Sequence, residues 1–170
     1  LSRRSYSEKH LRLIVTEIEN ADRFISEILN FGRPEQLNLT CYSLAELTDK
    51  VLKQHELVLE EHDLILESAI DPEVPLVYID VLRMEQVISN LLENAIEAAT
   101  APEAEPWIRV NVRYHSNDTL TLQIADGGHG FDQETQERAM DPYYTTKDSG
   151  TGLGLSISYR ILTAHGATER

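Results

Sequence analysis

The stretch DVLRMEQVISNLLENAIEAA, residues 80–99, predicts a long amphipathic helix. It begins with Asp80, a residue type that caps helix N-termini. Its apolar residues recur in steps of three and four, which indicates one buried face. The residues expected on that face are Leu82, Val87, Ile88, Leu91, Leu92, Ala95 and Ile96.

Two asparagines of this helix, Asn90 and Asn94, lie four residues apart and therefore share one face. If that face is buried, the two amides need polar partners. A magnesium–phosphate assembly would provide them, since an amide oxygen can ligate Mg²⁺. The alternative is that both are ordinary polar residues facing solvent.

The elements on either side of this helix indicate a mixed fold. An α+β two-layer sandwich with a mostly antiparallel sheet is therefore expected. The predicted strands are residues 37–42, 63–70, 77–79, 107–114 and 119–125, with a turn at 116–118. Further helices are expected from Ser43, with Glu46 completing a capping box, and from about Gly152 to Ala164. Cys41 is expected to be a packed strand residue.

Residues 1–34 predict a separate long helix with a heptad seam. The seam residues are Leu11, Ile14, Ile18, Ala21, Ile25 and Ile28. Such a face needs partners, as in a helical bundle, or it packs on its own domain. Gly32 and Pro34 end this helix, so two parts are expected, residues 1–34 and 35–170.

The composition limits the partners. The net charge is -14 and the pI about 4.7, which disfavours nucleic acid and anionic membranes. The single cysteine excludes an internal disulfide and fits a reducing compartment. No apolar run approaches the ~20 residues of a membrane span. A cytoplasmic location without membrane contact is expected, with any anchor of the parent protein outside these residues.

Two glycine-rich stretches are candidates for ligand contact. Asp126-Gly127-Gly128-His129-Gly130 follows a strand, and its carboxylate can accept a hydrogen bond from an exocyclic amine such as that of adenine. It can equally form a tight Asx turn, and His129 is expected to be a turn residue. Residues 150–155, GTGLGL, precede a helix, where exposed N–H groups favour phosphate.

Between these stretches, residues 141–149 read DPYYTTKDS and predict an irregular loop. It can fold over a ligand, with Thr145, Thr146 and Lys147 against phosphates, or it can be a solvated surface loop.

The order of these motifs resembles the GHKL ATPase superfamily, and most closely the catalytic domain of sensor histidine kinases. Residues 83–95 resemble the N box, residues 126–130 and 150–155 the two glycine boxes, and residues 143–147 the lid of nitrogen-regulator-type kinases. The likeness covers roughly residues 35–166. Residues 1–34 are similar to the second helix of the dimerisation and phosphotransfer hairpin.

The resemblance implies ATP and Mg²⁺ as cofactors and assigns roles to single residues. Asn94 would ligate Mg²⁺, Asn90 and Lys147 would act at the phosphates, and Asp126 would bind the adenine amine. The remaining nucleotide contacts would come from Gly128, Gly130, Thr146, Gly150, Thr151, Gly152, Leu153 and Gly154.

The resemblance also implies a reaction and partners. Chaperone and gyrase members have a catalytic glutamate where Asn90 falls, and an amide cannot serve as a general base. Phosphoryl transfer from ATP to a histidine is therefore favoured over hydrolysis. A response-regulator receiver domain and a second copy, joined through the N-terminal helix, would be the partners. The alternatives are another GHKL ATPase or serine kinase, and a degenerate domain kept for interaction.

Two departures from the family pattern give further expectations. His10 is followed by Leu11 and Arg12 and lies on what resembles the second hairpin helix, so the phosphoacceptor histidine is expected outside this chain. The two closing strands usual after the last helix are expected to be missing.

Overall fold

The computed structural model describes residues 36–115, 119–147 and 150–167. Its strands there are β1 (Thr40–Tyr42), β2 (Ile65–Ile70), β3 (Val77–Ile79), β4 (Trp107–Tyr114) and β5 (Leu120–Asp126). Its helices there are α1 (Leu44–Gln54), α2 (Glu56–Glu61), α3 (Val81–Ala99), α4 (Gln133–Arg138) and α5 (Gly154–Ala164). The helix expected in residues 1–34 and the turn expected at 116–118 lie outside the described residues.

The central helix α3 forms as predicted. Asp80 is its N-cap and accepts a hydrogen bond from the backbone N–H of Arg83 at 3.1 Å. The buried side consists of Met84, Val87, Ile88, Leu92, Ala95, Ile96 and Ala99. The prediction for Leu82 was wrong, because its side chain is 78% exposed. Positions three and four residues after it are Glu85 and Gln86, so Leu82 lies on the polar face.

The described strands form two small sheets. In the larger, ordered β2-β4-β5, β2 pairs with β4 in parallel and β4 pairs with β5 antiparallel. The smaller sheet is the antiparallel pair β1–β3. Two of these three pairings are antiparallel, as predicted, but the larger sheet is mixed because β2 joins β4 in parallel.

One face of the larger sheet is covered by helices. The inward residues Ile108, Val110 and Val112 of β4 are fully buried. Helix α3 packs on β4 and β5 and also contacts α1 and α5. The opposite face is polar, with Arg109 and Glu67 paired across neighbouring strands at 2.7 Å. The two-layer α+β sandwich is thereby confirmed.

Hydrogen bonds cap the start of α1 and connect the end of α5 to the rest of the domain. Ser43 is the N-cap of α1 and accepts a hydrogen bond from the N–H of Glu46 at 3.2 Å, one of the two bonds of the predicted capping box. At the other end of the chain, His165 Nε2 accepts the backbone N–H of Asp80 at 3.0 Å. The end of α5 is thus bonded to the start of α3.

The Asp80 carboxylate is stabilised in its ionised form. Burial acts to raise its pKa, but hydrogen bonds from the N–H groups of Asn38 and Arg83, and the Arg83 charge, outweigh burial. The pKa of Asp80 therefore lies below its usual value.

Three local features differ from the sequence predictions. Helices α2 and α4 were not expected, and each is only six residues long. Cys41 is exposed, because it lies opposite Tyr78, which is 73% exposed, on the outward face of the β1–β3 pair.

None of the helices in the described ranges is long and apolar enough to cross a bilayer.

Candidate functional site

The side chain of Asn90 joins α3 to the first turn of α5. Its Nδ2 donates to the carbonyl oxygen of Gly154 at 3.2 Å and to Ser158 Oγ at 3.3 Å. The same serine hydroxyl donates to the Gly154 carbonyl at 2.9 Å. Asn90 therefore positions the glycine-rich segment that opens α5.

One turn along α3, Asn94 has a different partner. Its Oδ1 accepts a hydrogen bond from Lys147 Nζ at 2.8 Å, and the same ammonium group contacts Glu97 Oε2 at 2.5 Å. The structure thus brings together two residues that the sequence selected, Asn94 and Lys147. Glu97 was missed, although it lies three residues after Asn94 and therefore on the same helix face.

Asp126 ends β5 and shapes the turn that follows. Its Oδ1 accepts the backbone N–H of Gly128 at 2.9 Å, which is the Asx turn that the sequence left open. A Cβ on Gly128 would lie 2.8 Å from the Cβ of Ala98, so this turn lies directly against α3. Gly130 has a φ of +69°, a conformation that favours glycine. His129 contacts the Pro102 carbonyl at 2.8 Å, as expected of a turn residue.

Residues 150–154 lie against the loop that precedes them. The Gly152 carbonyl accepts the N–H of Tyr143 at 2.9 Å. A Cβ on Gly152 would lie 2.5 Å from the Tyr143 carbonyl carbon, and one on Gly150 would lie 2.5 Å from Thr145 Oγ1. Gly152 also has a φ of +66°. This close approach, as well as conformation, explains why these positions are glycine.

The side chains in and beside this segment differ in exposure. Leu153 is fully buried, so only its backbone can face a ligand. Thr151 and Thr146 are exposed. The Thr145 hydroxyl accepts the N–H of Lys147 at 3.1 Å and shapes the backbone just before the lysine.

The short helix α4 holds in place Tyr144, which lies in the loop that follows it. Thr135 Oγ1 lies 3.1 Å from the Tyr144 hydroxyl, and the Arg138 guanidinium stacks 4.3 Å from the centroid of the same ring. Asp132 caps α4, and hydrogen bonds from the N–H and then the hydroxyl of Thr135 lower the pKa of its carboxylate. The loop expected to be irregular is thereby fixed at Tyr144.

All the sequence motifs meet on α3. Asn90 contacts the start of α5, Asn94 and Glu97 contact Lys147, and Ala98 lies against the Gly128 turn. Among the described residues no group of three or more His, Cys, Asp or Glu side chains could hold a metal ion. The Asn94 amide oxygen is available as a metal ligand. One such oxygen fits Mg²⁺, because this ion usually takes few protein ligands and completes its coordination with phosphates and water.

Comparison with known proteins identifies the family of this chain. The family of histidine kinase-, DNA gyrase B- and HSP90-like ATPases matches residues 79–170. The histidine-protein kinase AtoS of Escherichia coli is 34% identical over 158 residues, 93% of this chain and 26% of AtoS. The nitrogen regulation protein NtrY of Azorhizobium caulinodans is 28% identical over 159 residues, 90% of this chain and 20% of NtrY. The chain thus spans about a quarter or less of these relatives.

Solved structures share the fold. The nucleotide-free catalytic domain of the histidine kinase ThkA is 29% identical, with a TM-score of 0.67, and the match covers 75% of this chain and 82% of that domain. Full-length ShkA, solved with AMPPNP, has a TM-score of 0.79 at 20% identity, covering 98% of this chain and 35% of ShkA. The second likeness concerns the fold alone. The chain belongs to the histidine kinase-, DNA gyrase B- and HSP90-like ATPases, and it carries an ATPase domain of the sensor histidine kinase type.

Proposed function

We propose that residues 35–170 bind Mg²⁺–ATP and, in the whole protein, deliver its γ-phosphate to a histidine outside this chain. The observation that carries the proposal is the meeting of Asn94, Lys147 and the glycine segment on α3. ShkA, which shares the fold, was solved with an ATP analogue.

Each candidate residue has a task in this proposal. Asn94 offers an amide oxygen to Mg²⁺, and Lys147 offers its ammonium group to the phosphates. Bound Mg²⁺ supplies charge neutralisation at the transferring phosphoryl group. Asp126, whose turn lies against α3, accepts a hydrogen bond from the adenine amine. The glycines at 128, 130, 150, 152 and 154 let the backbone approach the nucleotide, with Thr146, Thr151 and the Leu153 backbone as further contacts.

Asn90 favours phosphotransfer over hydrolysis. An amide cannot remove a proton from water, and the Asn90 amide group donates to Gly154 and Ser158. It therefore positions the glycine segment that would lie beside the phosphates. This supports the kinase branch over the hydrolytic ATPases of the family.

The partners follow from the reaction and from the relatives. The histidine kinase ThkA, whose fold this chain shares at 24% identity and a TM-score of 0.76, was solved in complex with the response regulator TrrA. We propose a receiver domain as the phosphate acceptor of the relay, and dimerisation through residues 1–34. A cytoplasmic location would give the domain access to ATP.

Calorimetric titration with Mg²⁺ and a non-hydrolysable ATP analogue tests the proposal. Asp126→Asn is expected to weaken binding at least about tenfold, the equivalent of ~1.4 kcal/mol. The matched control is Asp71→Asn, because Asp71 also lies at the end of a strand, directly after β2, and its Oδ1 accepts the N–H of the residue two positions on at 2.9 Å. Folded wild-type chain that binds no nucleotide would favour a degenerate interaction domain instead.

A second assay separates the kinase from other members of the family. Incubation with [γ-³²P]ATP and a separately supplied phosphotransfer hairpin should place acid-labile label on the hairpin histidine. Label on a serine, or release of phosphate alone, would favour the serine-kinase or ATPase alternative. Label on His10 would contradict the placement of the acceptor outside this chain.

A further inference from the structure

The ammonium group of Lys147 is bonded to the side-chain oxygen of Asn94, the atom proposed to bind Mg²⁺. Lys147 Nζ lies 2.8 Å from Asn94 Oδ1 and 2.5 Å from Glu97 Oε2, so it bridges an amide and a carboxylate on one face of α3. A cation is thus already present at the oxygen that Mg²⁺ would use.

The ammonium group and Mg²⁺ exclude each other at this oxygen. Both would lie within a few ångströms of Asn94 Oδ1, where their positive charges repel strongly. Lys147 must therefore leave Asn94 before the metal can bind there. Once released, it can turn to the phosphates that arrive with the metal.

Glu97 explains why the lysine stays on a neutral amide. An ammonium group in water gains little from one amide oxygen, but a carboxylate beside that oxygen adds a charged partner. The Lys147 and Glu97 side chains are 35% and 56% exposed, so the pair is partly solvated and weak enough to be displaced.

We propose that Glu97 is a positioning residue that keeps Lys147 on Asn94 in the nucleotide-free protein, and that Mg²⁺–nucleotide binding must displace this resident cation. The inference rests on the proposed function, because it presupposes that Asn94 is the metal ligand. It adds a residue that sets nucleotide affinity without touching the nucleotide.

The test is a double-mutant cycle on the 170-residue chain. The dissociation constant of a non-hydrolysable ATP analogue is measured with Mg²⁺ and with EDTA for wild type, Glu97→Gln, Lys147→Met and the double variant. Glu97→Gln should tighten Mg²⁺-dependent binding about two- to fivefold, the range expected for loss of a partly exposed competing ion pair. In the Lys147→Met background the same change should have less than half this effect, since no lysine remains to be displaced.

Glu93→Gln is the matched control, because it removes the same charge from the same helix and Glu93 lies near His55 Nε2, at 3.9 Å. It should change the Mg²⁺-dependent constant less than Glu97→Gln does. An equal effect of Glu97→Gln with and without Lys147, or in Mg²⁺ and EDTA alike, would show that Glu97 acts by its own charge and would overturn the inference. Weaker binding in both backgrounds would make Glu97 a metal-side ligand and would also overturn it.

The outcomes distinguish the inference from the function on which it rests. Wild-type binding that depends on Mg²⁺ and Asp126, without coupling between Glu97 and Lys147, overturns the inference alone. A folded wild-type chain that binds no nucleotide overturns both.

Discussion

Asn90 and Asn94 are the same residue type on the same face of α3, but the structure uses them differently. Asn90 donates to Gly154 and Ser158 of α5, two groups within the fold. Asn94 contacts Lys147, a side chain that can move away. Asn90 is part of the framework where α3 meets α5. Asn94 faces the loop at 143–147, and its contact there can be exchanged for another. Helical spacing brings both amides to one face, but their partners decide what each can do.

The largest expected effect lies in the framework. Leu153→Ala should lower the free energy of unfolding by about 2–5 kcal/mol, because the side chain is fully buried and its loss leaves a cavity. Leu155 lies two positions later and is only half-buried, so Leu155→Ala should lower the free energy of unfolding clearly less. Urea unfolding of both variants measures the difference, and equal losses would mean that Leu153 is not core.

Substitution in the glycine segment at 150–154 should lower the free energy of unfolding nearly as much. Gly152→Ala is expected to cost about 2–4 kcal/mol, from left-handed strain and from the clash with Tyr143. Gly166→Ala provides the control, because Gly166 has a similar φ, +72°, with nothing within 4 Å of the added Cβ. It should cost only about 1–2 kcal/mol, the strain alone. The same loss in both would remove close approach as a reason for glycine at 152.

Alanine at each asparagine tests the comparison directly. Asn90→Ala should lower the unfolding free energy by about 1–3 kcal/mol, since two partly buried acceptors lose a donor. Asn94→Ala should change it by less than about 0.5 kcal/mol while abolishing the Mg²⁺ dependence of nucleotide binding. Chemical unfolding and calorimetry on the same samples provide both readouts. The reverse pattern would exchange the two roles.

The smallest expected effect concerns pH. Because the pKa of Asp80 is lowered in the folded state, its ionised carboxylate adds stability above its unfolded pKa of about 3.9. Asp80→Asn keeps the backbone N–H that His165 accepts and an oxygen for the N–H of Arg83, but it loses the second oxygen, which accepts the N–H of Asn38. It should therefore be about 1 kcal/mol less stable at neutral pH. The difference should shrink as pH falls from about 4 through the lowered folded pKa. A pH-independent difference would show that ionisation contributes nothing.

Much of the frame could be predicted, because its residues obey local rules. The Asp80 cap, the bounds of β3 and β4, and the burial of most of the apolar face of α3 follow from capping and periodicity. Leu82 was predicted to be buried because it is hydrophobic, although its position around the helix does not coincide with that of the buried residues. Its neighbours on the same face, Glu85 and Gln86, were visible in the sequence.

Other features depend on contacts that no local pattern contains. The parallel pairing of β2 with β4 joins distant segments, and Cys41 is exposed because of its register with Tyr78. The six-residue helix α4 has a cap at Asp132 but no apolar period to reveal it. In the site, the sequence selected Asn94 and Lys147 but could not show that they touch or that Glu97 completes the contact.

The parallel pair β2–β4 also governs how the site can form. Ile65 lies opposite Trp107, so this pairing closes a long loop of chain that contains β3 and the whole of α3. Such a non-local pairing contributes free energy only after the long loop that it closes has been ordered, so it forms slowly. Because α3 carries both asparagines, we expect the site to exist only when the entire domain is folded. A bound nucleotide should therefore raise the midpoint of the global thermal transition, rather than protect one local segment.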